Sequence, residues 1–220
     1  MSKKAIGFIP LRKGSKGIPG KNKKKLLGRP LFTWVLTEAL FSDLDEVYIF
    51  TDDDEIIGYV NQNFSWSKKV KTFKRDAFNA TDTASTESAM LEFCTESQVS
   101  FEIFCLLQAT SPMTKSTDIN LALKKLRSEN YDSLLSVVKT HRFTWSKNGE
   151  SLNYDYRNRP RRQDFYGLLI ENGAIYCTTQ KGLMNSRNRL SGKIGTFEMV
   201  EETLSEPSID LIILGLGAND

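Results

Sequence analysis

Cysteine and histidine are scarce in this 220-residue sequence, and their scarcity excludes several kinds of site. The three cysteines, Cys94, Cys105 and Cys177, lie far apart without a CxxC pair, which argues against zinc and against a disulfide framework. The single histidine, His141, makes a multi-histidine metal centre or a histidine-based catalytic triad a poor prediction. We therefore expect a protein of the reducing cytoplasm, with Cys94 and Cys105 as inert core residues.

Long apolar runs and a strong net charge are also missing. No run approaches the roughly 20 residues needed to cross a bilayer, so no membrane association is expected. The apolar residues 5–11 are closed by Arg12 and Lys13 and predict a strand instead of a signal peptide. The net charge of +3 is too small to indicate nucleic-acid binding.

The positive charge that is present lies in two segments. Eight basic residues and no acid occur from Arg12 to Arg29, and residues 157–162 contain four arginines. Two local positive patches on a nearly balanced chain favour a small anionic ligand over a polymer.

Short apolar runs alternate with helical periodicity up to about residue 140. The runs predict strands at 5–11, 46–51, 70–73, 102–107 and 133–139, and the periodicity predicts helices after Pro30 and at 55–63, 85–97 and 117–129. Pro30 suits the first helical position. Buried strands joined by helices predict a mostly parallel sheet, in which ligands bind beyond the carboxyl ends of the strands.

The pattern changes from about residue 142. Residues 142–170 are polar, aromatic and rich in arginine, and strands are predicted again at 173–178 and 194–200. We interpret 1–220 as a single domain and 142–170 as an excursion that returns to the sheet.

A basic loop, residues 12–22, follows the first predicted strand. Three glycines there let the backbone present N–H groups to an anion, and the cations Arg12, Lys16 and Lys21 add charge that suits a polyphosphate. A solvated surface loop is the alternative. The spacing fits neither Walker A nor GxGxxG, which disfavours a P-loop NTPase and a nicotinamide enzyme.

Three aspartates, residues 52–54, end the second predicted strand. Carboxylates in this place either cap the next helix or bind a metal ion, and we favour capping.

Seven short motifs occur in order along the chain: IPLRKGSKGIPGKN, LLGRPL, TDDDEI, ATDTAST, LLQATSPM, RRQD and ENGAIY. Together they resemble the acylneuraminate cytidylyltransferases, also called CMP-sialic acid synthetases. The resemblance implies an α/β nucleotide-diphosphosugar transferase fold, a three-layer α/β/α sandwich with a mostly parallel mixed sheet. It also implies a homodimer, with residues 142–170 closing over substrate or forming the dimer contact.

The reaction implied by the resemblance joins CTP to a nonulosonic, sialic-type acid with the help of Mg²⁺. The anomeric hydroxyl attacks the α-phosphate, and the products are the CMP-sugar and pyrophosphate. The alternatives are a nucleotidyltransferase for another sugar acid such as Kdo or for another nucleotide, and a non-catalytic nucleotide-binding relative. Which nonulosonic acid is used stays open.

The resemblance also assigns residues. The implied nucleotide-binding residues are Arg12, Lys16, Lys21, Asn22, Arg75, Ala84 and Thr86, of which Arg12 and Lys21 are the catalytic pair. The implied sugar-binding residues are Gln108, Arg162 and Asn172.

The sequence departs from the family pattern at two places. Lys13 replaces a usual glycine in the basic loop, which adds a charge and removes backbone freedom. The late segment that usually supplies magnesium carboxylates is altered, and Glu206 and Asp210 are the predicted ligands because Mg²⁺ needs only one or two carboxylates beside phosphates. The alternative makes Glu206 a surface residue and Asp210 a helix start.

Overall fold

A computed structural model describes residues 4–14, 18–76, 79–81 and 83–200. The predictions for Lys16, Glu206 and Asp210 lie outside the described residues.

Within the described residues, seven strands form one sheet in the order β5-β4-β1-β6-β8-β7-β9. Their bounds are β1 Ala5–Leu11, β4 Glu46–Thr51, β5 Val70–Lys74, β6 Ile103–Leu107, β7 Ser133–Thr140, β8 Leu168–Thr179 and β9 Ile194–Met199, and β2 (Lys25–Leu26) pairs with β3 (Arg29–Pro30) in a separate hairpin. In the described part of the chain, β8 alone runs antiparallel to its neighbours in the sheet. The prediction of a mostly parallel sheet is confirmed.

Five α-helices accompany the sheet in the described ranges: α1 Phe32–Phe41, α2 Asp54–Asn63, α3 Thr86–Glu96, α4 Ser116–Ser128 and α5 Gln180–Ser186. Short 3-10 helices lie at Lys21–Lys23 and Tyr156–Asn158. None of the helices in these ranges is long and apolar enough to cross a bilayer.

Pro30 does not begin a helix, so that prediction is wrong. Leu27 and Gly28 have φ angles of 49° and 79°, and this left-handed turn makes a hairpin in which Pro30 pairs with Lys25. The chain is therefore still extended at Pro30, and α1 begins two residues later.

Side chains of the central strand β1 alternate between two apolar cores, one on each face of the sheet. Ala5, Ile9 and Leu11 pack with residues of α1, α2 and α4. Ile6 and Phe8 pack with residues of α3 and with a group of aromatic rings. This arrangement gives the three layers, helix on sheet on helix.

The segment between β7 and β8 leaves the sheet after Thr140 and rejoins it at Leu168. Gly167 precedes the return with a φ of +79°, and a Cβ atom there would lie 2.5 Å from the Thr140 carbonyl oxygen. Glycine is thus required where the returning strand passes closely over β7. The division of 1–220 into one domain with a functional excursion stays a prediction.

Candidate functional site

The carboxyl ends of the parallel strands β5, β4, β1 and β6 meet at one edge of the sheet. The basic loop follows β1, the aspartates follow β4, Arg75 follows β5, and Gln108 follows β6. This is the edge at which open α/β sheets bind ligands.

A cavity of about 320 Å³ lies at this edge. Its wall combines the basic loop, the end of β5 and the first turn of α3. The lining residues are Pro10, Arg12, Gly14, Lys21, Asn22, Arg75, Ala84, Ser85, Thr86 and Ala89. Six of the seven predicted nucleotide-binding residues are among them, and the seventh, Lys16, lies outside the described residues. Segments distant in sequence therefore converge on one cavity.

The described part of the basic loop is held by its own backbone and by side chains. Gly20 has a φ of 65°, a left-handed conformation that lets the chain turn into the 3-10 helix Lys21–Lys23. Asn22 Nδ2 donates to the Arg12 carbonyl oxygen at 3.1 Å, which closes the loop at its base. The Lys13 N–H donates to Asp52 Oδ1 at 2.8 Å.

Arg12 connects the loop to the opposite wall of the cavity. Its Nη1 donates to the Thr81 carbonyl oxygen at 3.3 Å, a few residues before α3 begins. A guanidinium in this place is able to contact phosphate oxygens through several N–H donors at once.

Arg75 is a buried cation at the same cavity, with 6% of its surface exposed. It donates to the Asn79 carbonyl oxygen and lies over the Phe50 ring, and its Nε has no hydrogen-bond partner among the described residues. Burial lowers the pKa of Arg75 below its ordinary value, although the charges of Glu92 and Asp52 act in the opposite direction. A buried guanidinium with a spare donor suits a polar or anionic ligand.

The first turn of α3 forms the remaining wall. Ser85 caps the helix by accepting a hydrogen bond from the Ser88 N–H at 3.0 Å, and Ala84 and Thr86 lie on either side of it. Helix N-termini present free N–H groups, which favour polar and anionic ligands. Sequence reasoning missed Ser85 as a lining residue, although its place before a helix was a usable capping signal.

The capping role predicted for the aspartates is confirmed at Asp53. This residue is the N-cap of α2, and its Oδ1 accepts a hydrogen bond from the Glu55 N–H at 3.0 Å.

Gln108 and Asn172 lie near each other but do not line this cavity. The Gln108 N–H donates to the Ala174 carbonyl oxygen at 3.3 Å, beside Gly173. Asn172 is buried and accepts a hydrogen bond from Ser136 Oγ at 2.6 Å, while its Nδ2 donates to Met199 Sδ at 3.4 Å. The amide of Asn172 is thus engaged within the fold, and its sugar-binding role stays a prediction.

Arg162 lies apart from these residues, on a second cavity of about 610 Å³. The lining is strongly basic and comprises His141, Arg142, Phe143, Arg159, Pro160, Arg161 and Arg162. The structure therefore does not bring Arg162 to the same cavity as Arg12.

A metal centre is not apparent among the described residues. In residues 4–14, 18–76, 79–81 and 83–200 no group of three or more histidine, cysteine, aspartate or glutamate side chains is arranged to hold a metal ion. The predicted ligands Glu206 and Asp210 belong to the undescribed part of the chain, so their role stays a prediction.

Comparison with solved structures supports the fold. A CMP:2-keto-3-deoxy-manno-octonic acid synthetase complexed with CTP has a TM-score of 0.68 at 21% identity, covering 98% of both chains. The 4-diphosphocytidyl-2C-methyl-D-erythritol synthase of Anaerococcus prevotii has a TM-score of 0.67 at 12% identity, covering 97% of this chain and 96% of the other. The predicted α/β fold is confirmed.

Sequence comparison gives relatives with consistent names. N-acylneuraminate cytidylyltransferase B of Danio rerio is 38% identical over 93% of this chain and 48% of its own length. The N-acylneuraminate cytidylyltransferase of Oncorhynchus mykiss is 36% identical over 93% and 47%. A pseudaminic acid cytidylyltransferase of Campylobacter jejuni is 27% identical over 81% and 79%.

The chain thus spans about half the length of the two fish relatives that it matches. The sequence pattern that defines the family described as cytidylyltransferase matches residues 6–213, nearly the whole chain. The resemblance drawn from the seven motifs is confirmed, and the chain belongs to the cytidylyltransferase family.

Proposed function

We propose that this protein transfers CMP from CTP to a nonulosonic, sialic-type acid and releases pyrophosphate. The observation that carries the proposal is the convergence of Arg12, Lys21, Asn22, Arg75, Ala84 and Thr86 on one cavity at the ligand-binding edge of the sheet. The names of the relatives from fish and from Campylobacter jejuni support this class of acceptor.

The cavity has the charge distribution that the reaction needs. Nucleotidyl transfer is an in-line displacement at phosphorus, in which the protein mainly positions groups and offsets charge. Arg12 and Lys21 lie on the loop side and would stabilise the departing pyrophosphate, and Arg75, Ala84 and Thr86 lie on the side that would hold cytidine. Gln108, at the end of the next strand β6, would contact the sugar acid and orient its anomeric hydroxyl.

Mg²⁺ belongs to the same proposal. When bound, the ion would offset the negative charge of the triphosphate, with Glu206 and Asp210 as its carboxylate ligands. The test is chelation: removing divalent ions should abolish turnover, and Glu206→Gln with Asp210→Asn should weaken the response to added Mg²⁺.

A homodimer in the cytoplasm is also proposed. Tyr166 is 91% exposed, and the first residues of β8, Leu168 to Ile170, expose apolar side chains next to it. Exposed apolar side chains in a cluster suit a contact with a second copy of the chain. Three free cysteines in the sequence agree with a reducing compartment.

The direct experiment is a pyrophosphate-release assay. The protein is supplied with Mg²⁺, with CTP, UTP, ATP or GTP, and with N-acetylneuraminate, legionaminate, pseudaminate or Kdo. We expect release with CTP and at least one nonulosonic acid. Release only with Kdo or with another nucleotide would establish the alternative nucleotidyltransferase, and tight CTP binding without turnover of any acid would establish the non-catalytic relative.

A further inference from the structure

Asp53, the N-cap of α2, contacts Lys23, the residue directly after the basic loop. This carboxylate is 1% exposed, and its Oδ1 is used by the helix cap described above. Its Oδ2 lies 2.9 Å from Lys23 Nζ and forms an ion pair with it. The ammonium of Lys23 is therefore what neutralises the second oxygen of a buried carboxylate.

Lys23 is held from two sides. Its Nζ also lies 2.7 Å from Glu55 Oε2, so that both acids of the first α2 turn that face the loop contact one ammonium. Hydrogen bonds to Glu55 and Asp53 raise the pKa of Lys23 above its ordinary value. The Lys23 ammonium therefore stays charged across the physiological pH range, and its ion pairs with Asp53 and Glu55 persist over that range.

This contact fixes the part of the loop that reaches the cavity. Lys23 is the last residue of the 3-10 helix that begins with Lys21 and Asn22, and both of these line the cavity. At the other end of the loop, the Lys13 N–H is bound by Asp52, the residue before Asp53. The start of the basic loop and Lys23, the residue directly after its end, are thus both attached to one short acidic segment, residues 52–55, where α2 begins.

Such an attachment matters because the loop is crowded with like charges. Eight cations lie between Arg12 and Arg29, and they repel one another when no anion is bound. Pairing Lys23 with Asp53 and Glu55 offsets one charge and holds it on the α2 side, while Lys21 stays at the cavity. Lys21 is therefore already in position when a triphosphate binds, which lowers the free-energy cost of ordering this side chain.

We infer that Asp53 is a positioning residue for the triphosphate: through Lys23 it holds the short helix that carries Lys21 and Asn22 at the cavity. The inference rests on the proposed function, because it takes CTP as the ligand. It assigns a ligand-binding consequence to a residue that the sequence pattern marks only as a helix cap.

The test is Asp53→Asn, measured by calorimetric titration with CTP and by steady-state kinetics. Asparagine keeps an oxygen for the helix cap but removes the charge that holds Lys23. We expect the Kd for CTP to rise about ten-fold and kcat/KM to fall at least as much, because Lys21 contacts the triphosphate and also stabilises the departing pyrophosphate. The matched control is Asp54→Asn, the next residue in the same turn, which pairs with Lys74 on the surface and should leave both constants unchanged.

A double-mutant cycle identifies the route of the effect. If Asp53 acts through Lys23, Asp53→Asn should add less than about two-fold in a Lys23→Met background, and Lys23→Arg should retain near wild-type affinity. If Asp53→Asn fails to fold, Lys23→Met against Lys23→Arg makes the same comparison on a partly exposed side chain.

The outcomes separate the two proposals. A wild-type protein that does not bind CTP overturns the proposed function itself. A wild-type protein that binds CTP, with Asp53→Asn or Lys23→Met binding equally well, overturns only the role of Asp53, as does a full additive loss in the double variant.

Discussion

Replacing Arg12 by alanine should lower kcat/KM for pyrophosphate release from CTP by at least about ten-fold. Arg12 lines the cavity and joins its two walls through Thr81. A charge-assisted hydrogen bond to phosphate is worth about 1.5–3 kcal/mol, and about 1.4 kcal/mol corresponds to a factor of ten in rate. The loss should appear in kcat because the negative charge on the leaving group grows in the transition state.

Two further variants make this result specific. Arg12→Lys keeps the charge but loses the planar pair of donors, so it should fall between wild type and alanine. Lys25→Ala removes one charge from the same basic segment at an exposed position that does not line the cavity, and it should change kcat/KM less than about two-fold. Equal losses for Arg12→Ala and Lys25→Ala would mean that only the net charge of the segment matters.

The largest expected effect on stability comes from Phe93→Ala. Phe93 lies on α3, is fully buried, and its ring centroid is 4.8–6.1 Å from those of Phe8, Tyr48, Phe50, Phe73 and Phe104. Truncating such a ring removes buried apolar area and leaves a cavity, at a cost of about 3–5 kcal/mol. Since α3 supplies one wall of the cavity, CTP affinity should fall with stability.

Urea denaturation of the free protein measures the loss directly. The control is Leu121→Ala, also on a helix but with 51% of its surface exposed, which should cost less than about 0.5 kcal/mol. A loss below about 1.5 kcal/mol for Phe93→Ala would contradict the view that the aromatic cluster holds α3 against the sheet.

The buried strands were the most predictable part of the fold. The bounds predicted for residues 5–11 and 46–51 match β1 and β4, because an unbroken apolar run between polar turns fits a strand covered on both faces. Strand β8 was predicted only from residue 173 but begins at Leu168. Its first residues are apolar but exposed, and Glu171 and Asn172 separate them from the buried run that begins at residue 173, so the sequence does not mark the two parts as one strand.

The site was predictable in a different way. Glycine spacing and charge indicated an anion-binding loop, but the nucleotide roles of Arg75 and Ala84 came from the family resemblance. Periodicity does not place Arg75 beside Arg12, since only the parallel order of β5, β4 and β1 brings their ends to one edge. The pairing of Asp53 with Lys23 was missed for the same reason. Lys23 lies in the segment that follows β1, Asp53 lies in the segment that follows β4, and only the order of the sheet brings the two together.

A crystal structure of the protein with bound CTP tests the central claim most directly. We predict that the triphosphate lies against Arg12 and Lys21 and that the cytosine lies beside Arg75 and Ala84, within the cavity between the basic loop and α3. A structure in which CTP occupies another surface while this cavity holds only solvent would contradict the account.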